Sequence, residues 1–176
     1  WEKLLRPFTK KIMVIDDLAN RTHCCDLLLD QNYVGSVSRS YDQLTSEKAE
    51  LLLGPEHALI HPEYSKVHQL LVPHKGVVNS ALVFFGGSDN DNLTTMAIDA
   101  LTTSHLRSIF LDVVIGVNHK NAKSVADQCT ARGGTRFHTA LPHLAYLMQN
   151  ADLFIGAGGS TNWERLCLGL PALVIT

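Results

Sequence analysis

The sequence lacks several features that would place it quickly. Its four cysteines, Cys24, Cys25, Cys129 and Cys167, include no C-x-x-C pair, so the usual zinc and dithiol spacings are missing. Four cysteines in 176 residues are also too few for a disulfide-stapled secreted scaffold, and buried free thiols in a reducing cytoplasm are expected. No apolar run reaches the roughly 18 residues that cross a bilayer. Residues 1–6, Trp-Glu-Lys-Leu-Leu-Arg, do not have the layout of a signal peptide. Charge of one sign is missing as well. Fifteen basic against 17 acidic residues leave a formal charge of −2 with no basic block, which argues against a broad nucleic-acid or anionic-membrane surface. Nine histidines are present, and His57 and His61 stand four apart, but Pro55 and Pro62 bracket them and rule against one continuous helix carrying both. No metal site is expected.

What the chain does have is enough apolar sequence, 45%, to bury a core, and a marked change along its length. Only Gly35, Gly54 and Gly76 of the 12 glycines fall in the first 80 residues. Residues 72–79, Val-Pro-His-Lys-Gly-Val-Val-Asn, read as a linker, and they divide the chain into 1–75 and 76–176. Before the division, residues 11–16 and 26–30 read as short buried strands around the polar loop 17–23, and 51–53 and 58–60 are further apolar segments. After it, the order is regular: strand 80–85, helix 91–103, strand 109–117, helix 121–132, strand 135–138, helix 142–148 with Pro142 in its first turn, strand 151–155, helix 161–168, strand 172–175. The first of these helices places Leu93, Met96, Ala97, Ala100 and Leu101 on one stripe. Such alternation predicts an α/β fold with parallel sheets covered on both faces. Residues 171–176 read as a core strand that simply stops, so the chain is expected to be a piece of a longer protein.

In open α/β sheets ligands sit at the carboxyl ends of strands. Two of the strand-to-helix loops there are glycine-rich: Phe85-Gly86-Gly87-Ser88-Asp89 and Gly156-Ala157-Gly158-Gly159-Ser160-Thr161. Glycine lets backbone N–H groups approach an anion, and the helix that follows adds a partial positive charge. Neither loop is a Walker A sequence or a G-x-G-x-x-G fingerprint. Either loop also reads as a tight turn plus an N-cap, with Ser160 or Thr161 capping in the second. Glu164, one turn beyond Ser160, could accept from both hydroxyls of a ribose, or could be an ordinary first-turn Glu favoured by the helix dipole. Together these features suggest a diphosphate at the helix start with a ribose beside it, as in a nucleotide-sugar.

The strings Val14-Ile15-Asp16-Asp17-Leu18-Ala19-Asn20-Arg21, Cys25-Asp26-Leu27-Leu28-Leu29-Asp30-Gln31-Asn32, Leu53-Gly54-Pro55-Glu56-His57-Ala58-Leu59, Val83-Phe84-Phe85-Gly86-Gly87-Ser88-Asp89 and Gly156-Ala157-Gly158-Gly159-Ser160-Thr161-Asn162-Trp163-Glu164-Arg165 extend in order along nearly the whole chain. Together they resemble the UDP-2,4-diacetamido-2,4,6-trideoxy-β-L-altropyranose hydrolase family of bacterial pseudaminic acid biosynthesis. The C-terminal half is more distantly similar to the lipid II glycosyltransferase of peptidoglycan synthesis. The resemblance implies a GT-B-like pair of Rossmann-like lobes, the N-terminal one incomplete. It also implies a cytoplasmic, bacterial, metal- and cofactor-independent enzyme that releases UDP from its sugar by water attack with inversion. UDP would lie against Gly86, Gly87, Ser88, Gly158, Gly159, Ser160 and Thr161, with Glu164 on the ribose. The backbone near Phe137 and His138 would meet the base.

The family's first loop carries a G-x-G-H-x-x-R string whose His is its proposed base. No glycine precedes Gly35 here, so no residue of this chain inherits that role. A family Asn-Gln string, expected just past Thr176, has no counterpart either. The catalytic residues are therefore unknown from this chain. Asp16, Asp17, His23 and His57 are weaker candidates for acid–base work, and Ser160 is not in a G-x-S-x-G nucleophile elbow. Two alternatives stand beside the hydrolase: a GT-B glycosyltransferase using a UDP-sugar, and a nucleotide-binding module without chemistry.

Overall fold

Aliphatic runs bounded by turn residues form the strands of two parallel sheets, each in its own unit. The computed structural model describes residues 1–32, 41–72 and 76–175. They divide into Trp1–Leu59 and Ile60–Thr176. The α/β class expected from the sequence, with two Rossmann-like, parallel-sheet lobes, is the class observed.

The first unit contains the short helix α1 (Glu2–Leu5), strands β1 (Met13–Ile15), β2 (Leu27–Asp30) and β3 (Glu50–Leu53), and a 3-10 turn at Pro55–His57. The three strands are parallel in the order β1-β2-β3. The central strand is buried, with Leu28 and Leu29 sealed from solvent. The run expected as a buried strand over 11–16 is shorter and lies at the sheet edge, with Met13 and Ile15 exposed and Ile12 and Val14 packed against the core around Cys25, Leu28 and Tyr41. Pairing on one side alone leaves alternate side chains of a three-residue strand outside the core.

At the carboxyl ends of β1 and β2 the Tyr41 hydroxyl lies 3.0 Å from both the Asp16 and the Asp30 carboxylates, all three residues being buried. Burial and the two carboxylates push the Tyr41 phenol well above its ordinary pKa. Burial pushes the Asp16 carboxyl up, but the hydrogen bonds from the Ala19 amide and Tyr41 outweigh it and hold it low. Tyr41→Phe removes the donor and leaves the carboxylate oxygens in place. A stability loss of about 1–3 kcal/mol is expected, measured as a lowered urea midpoint. An unchanged midpoint would show that the hydroxyl contributes nothing there.

The second unit opens with α2 (Pro62–His68), followed by β4 (Ser80–Phe84), α3 (Leu93–Ala100), β5 (Phe110–Ile115), α4 (Ala122–Arg132), β6 (Thr135–Thr139), α5 (Ala145–Asn150), β7 (Leu153–Ala157), α6 (Thr161–Cys167) and β8 (Ala172–Ile175). All five strands are parallel, in the order β6-β5-β4-β7-β8. The order reverses between β4 and β7, which defines a topological switch point. Alternate residues of the central strands serve opposite faces. Ala81, Val83, Val113 and Ile115 pack with Ile98, Val125 and Cys129 of α3 and α4. Leu82, Val114 and Phe154 pack with Tyr64, Val67, Ala145, Met148 and Leu168 on the other side. This double burial explains why these strands read as continuous apolar runs. Asp152 joins the starts of β4 and β7 by accepting from the Asn79 and Ser80 amides at 3.0 and 2.9 Å.

Several sequence expectations shift. The division expected at 75/76 adjoins residues 73–75, which lie outside the described residues. The units separate instead at Leu59/Ile60, because α2, not anticipated from the sequence, packs Tyr64 and Val67 into the second core. Its signal was available: Pro62 in the first turn, then Tyr64 and Val67 three apart. In α3 the buried face is Thr94, Ala97, Ile98 and Leu101, whereas Met96 and Ala100 face solvent. That helix is also shorter than 91–103, since the Thr102 and Thr103 hydroxyls bond back to the Ile98 and Ala100 carbonyls beyond its end. Pro142 does not start a helix; α5 begins at Ala145, and the Leu144 amide donates to the Tyr64 hydroxyl at 3.1 Å. Strand β7 runs two residues later than expected, with Gly156 and Ala157 paired to Val174 and Ile175.

Candidate functional site

At the switch point the second unit holds a cavity of ≈ 530 Å³. Its lining comes from the ends of β4 and β5 and the loops that follow them, from the loop between β6 and α5, and from the start of α6. Gly86 and Gly87 form one wall, and Ser160, Thr161 and Glu164 another. The sequence-predicted residues therefore separate into two groups. The structure brings Gly86, Gly87, Ser160, Thr161 and Glu164 together around one space, while Ser88, Gly158 and Gly159 lie in the same loops without lining it. Phe137 and His138 are also outside the lining. Phe137 packs against the core, and His138 Nε2 is 2.7 Å from Asp112. The segment following them, Ala140 to Leu144, lines the cavity where a base contact was expected.

The two glycine loops differ at their helix starts. Asp89 turns back on α3 and accepts from the Leu93 and Thr94 amides, both at 2.9 Å, so a side-chain carboxylate already occupies that helix N-terminus. At α6, Ser160 makes no side-chain cap bond, and Gly159 takes a φ of +115°, which glycine tolerates. The capping alternative for Ser160 is thus not realised. An anion at this end would meet backbone N–H groups and two hydroxyls. No Lys or Arg is among the described residues lining the cavity.

Among the described residues lining the cavity, Glu164 is the one carboxylate. Burial raises its pKa above the ordinary value of 4.5, and this prevails over the opposing effects of the Tyr64 hydroxyl and the nearby His61 and His143. Tyr64, fully buried in α2, accepts the Leu144 amide with its hydroxyl oxygen, and the same hydroxyl favours the ionised Glu164 carboxyl against the effect of burial. His143 stacks on His61 with ring centroids 4.9 Å apart. Chemically, the site offers glycine-framed backbone, two hydroxyls and one partly desolvated carboxylate able to accept from a vicinal diol. Tyr64, Gly116 to Asn118 and the 140–144 segment were not foreseen, because they enter through α2 and through loops without a glycine signature.

The other candidates have local partners in the first unit. Asp16 is held by Ala19 and Tyr41, and His23 Nδ1 lies 2.9 Å from Glu2. His57 and His61 lie on separate elements, the first in the 3-10 turn and the second capping α2, as their flanking prolines imply. Among the described residues no three of His, Cys, Asp and Glu converge as metal ligands.

No family model matches the chain. It is 24% identical over 179 aligned positions to the uncharacterized protein MJ1062 of Methanocaldococcus jannaschii, covering 98% of this chain and 37% of that protein. It is 26% identical over 152 positions to the spore coat polysaccharide biosynthesis protein SpsG of Bacillus subtilis, covering 86% of this chain and 44% of that protein. The chain thus spans less than half the length of these curated relatives. A crystal structure of WaaG, a glycosyltransferase involved in lipopolysaccharide biosynthesis, aligns with a TM-score of 0.48 at 16% identity, covering 98% of this chain and 61% of that one. A likeness that loose bears on neither ligand nor reaction.

Proposed function

We propose that the second unit is the nucleotide-sugar lobe of a GT-B-type, carbohydrate-building protein, and that the cavity at the switch point takes a UDP-sugar. The observation that carries this reading is the convergence of Gly86, Gly87, Ser160, Thr161 and Glu164 on one ≈ 530 Å³ space at the carboxyl ends of parallel strands. Backbone amides and hydroxyls there suit a diphosphate, and Glu164 suits the ribose diol. Similarity to a polysaccharide-biosynthesis protein supports carbohydrate chemistry and favours transfer to a hydroxyl acceptor as the parent protein's reaction. The ordered strings shared with the altropyranose hydrolase family support a second reading, in which water replaces the acceptor and the free sugar is 2,4-diacetamido-2,4,6-trideoxy-L-altrose. The two readings separate on the longer parent protein. Sugar released from the altropyranose nucleotide without any acceptor supports hydrolysis, and a strict acceptor requirement supports transfer.

Calorimetry of the 176-residue chain with UDP tests the shared part. Glu164→Ala is expected to weaken UDP by about tenfold or more, since it removes a charged acceptor from two hydroxyls. 2′-Deoxy-UDP is expected to bind the wild type less tightly than UDP and to be less affected by the substitution. The diol bonds to the ionised carboxylate, so affinity should fall as pH is lowered toward the raised Glu164 pKa, with protons released on binding in that range. Absence of binding by both UDP and a UDP-sugar, or an unchanged affinity in Glu164→Ala, would sink the reading.

A further inference from the structure

The loops after β4 and β5 meet through a buried pair that the nucleotide reading does not use. Asp89 and His119 are 8% and 6% exposed, and His119 Nε2 lies 3.3 Å from Asp89 Oδ2. The other ring nitrogen, Nδ1, accepts the Asn121 amide at 3.2 Å, and the His119 amide donates to the Gly116 carbonyl at 3.2 Å. A neutral ring with its proton on Nε2 satisfies both side-chain partners at once. Asp89 in turn holds the start of α3 through Leu93 and Thr94. Asp89 and Asn92 both adopt left-handed backbone, with φ of +39° and +56°, a conformation that Asp and Asn tolerate better than most residues. His119 reaches this loop from the neighbouring one and adds a hydrogen bond from outside it. The residues so connected lie within a few positions of Gly86 and Gly87 on one side and Gly116, Val117 and Asn118 on the other, all of which line the cavity.

We propose that His119 is a positioning residue: through its hydrogen bond to Asp89 it ties the β4 and β5 loops together and so sets the shape of the cavity wall. The ligand-affinity consequence rests on the UDP reading above; the tether itself does not.

Hydrogen exchange and UDP calorimetry on His119→Leu and His119→Gln separate the two. In His119→Leu, exchange should accelerate in residues 85–94 and 116–121 with the strands β4 and β5 unchanged, and UDP affinity should fall about tenfold. His119→Gln keeps an N–H donor toward Asp89 and should recover most of both. Unchanged exchange in both loops of His119→Leu overturns the tether. Equal loss of UDP affinity in the Leu and Gln variants overturns positioning through the donor. A wild type that fails to bind UDP defeats the nucleotide reading, while the exchange data still decide the tether. Should His119→Leu not fold, nitrogen NMR of the wild-type ring decides: a proton on Nε2 is expected, and a neutral ring carrying it on Nδ1 overturns the assignment.

Discussion

Arg132→Met should destabilise the second unit by about 3 kcal/mol or more, lowering its urea midpoint without altering the transition slope. Arg132 ends α4 and is only 4% exposed, yet its guanidinium donates to oxygens throughout a neighbouring turn region. Nε and Nη2 reach the Leu101 carbonyl at 3.3 and 3.1 Å, and Nη2 also reaches those of Leu106 and Ile109 at 3.3 and 2.8 Å. Nη1 serves the Gly133 carbonyl and the Thr135 hydroxyl at 3.1 and 3.2 Å. The segment between α3 and β5 has no helix or strand of its own, so this cation organises its carbonyls. Burial lowers the Arg132 pKa, a cost offset by the acceptors around it. Methionine matches much of the volume and none of the donors, leaving several carbonyls without a partner at about 1–3 kcal/mol each before relaxation. Lysine has three donors on one centre and cannot reproduce the planar fork, so Arg132→Lys should fall between wild type and Met. A Met variant as stable as wild type would show that water takes over these carbonyls without cost.

Gly116→Ala is the second substitution with a large expected effect, and it acts on the site as well as on stability. A Cβ at Gly116 would lie 2.2 Å from the Gly87 carbonyl oxygen and 2.6 Å from the Gly87 Cα. Both obstacles are backbone, so relief requires the β4 and β5 loops to move apart, and both line the cavity. Overpacking of this kind costs about 1–3 kcal/mol and sometimes more. UDP affinity should fall at least about tenfold in molecules that remain folded, because the wall carrying Gly86 and Gly87 is displaced. Gly87→Ala is the natural control: nothing lies within 4 Å of its added Cβ, and its φ is outside the left-handed region, so stability should hardly change. Melting temperature and UDP calorimetry on the pair check both statements. Equal stability of the two variants would contradict the close approach of the loops.

These two residues show where sequence reading reaches its limit. Gly87 belongs to a visible glycine pair and invites a functional reading, whereas Gly116 is a single glycine after a strand and invites none; sterically, Gly116 is the one the fold requires. Arg132 looks like a basic residue favoured at a helix C-terminus by the dipole, and no periodicity reveals that its side chain turns inward. The alternation of strands and helices after residue 80 was legible because strands buried on both faces must be apolar throughout. Residue 93 onward was harder: of the expected stripe Leu93, Met96, Ala97, Ala100 and Leu101, the sheet buries Ala97 and Leu101, takes Thr94 and Ile98 with them, and leaves Met96 and Ala100 exposed.

By itself the sequence determined the α/β class, the alternation of strands and helices after residue 80, and the two loops from which Gly86, Gly87, Ser160, Thr161 and Glu164 come to line the cavity. Local chemistry suffices for these: apolar runs, glycine at strand ends and helix-start residues are properties of neighbours in the chain. Tertiary structure alone decided that α2 belongs to the second unit, that Tyr64 supports Glu164, that Asp89 closes one helix start while the other has no side-chain cap, and that His119 reaches across to hold the loop. Tyr64 and Glu164, and Asp89 and His119, are far apart in the chain, and at such separations burial and hydrogen-bond satisfaction, rather than propensity or spacing, select the partner.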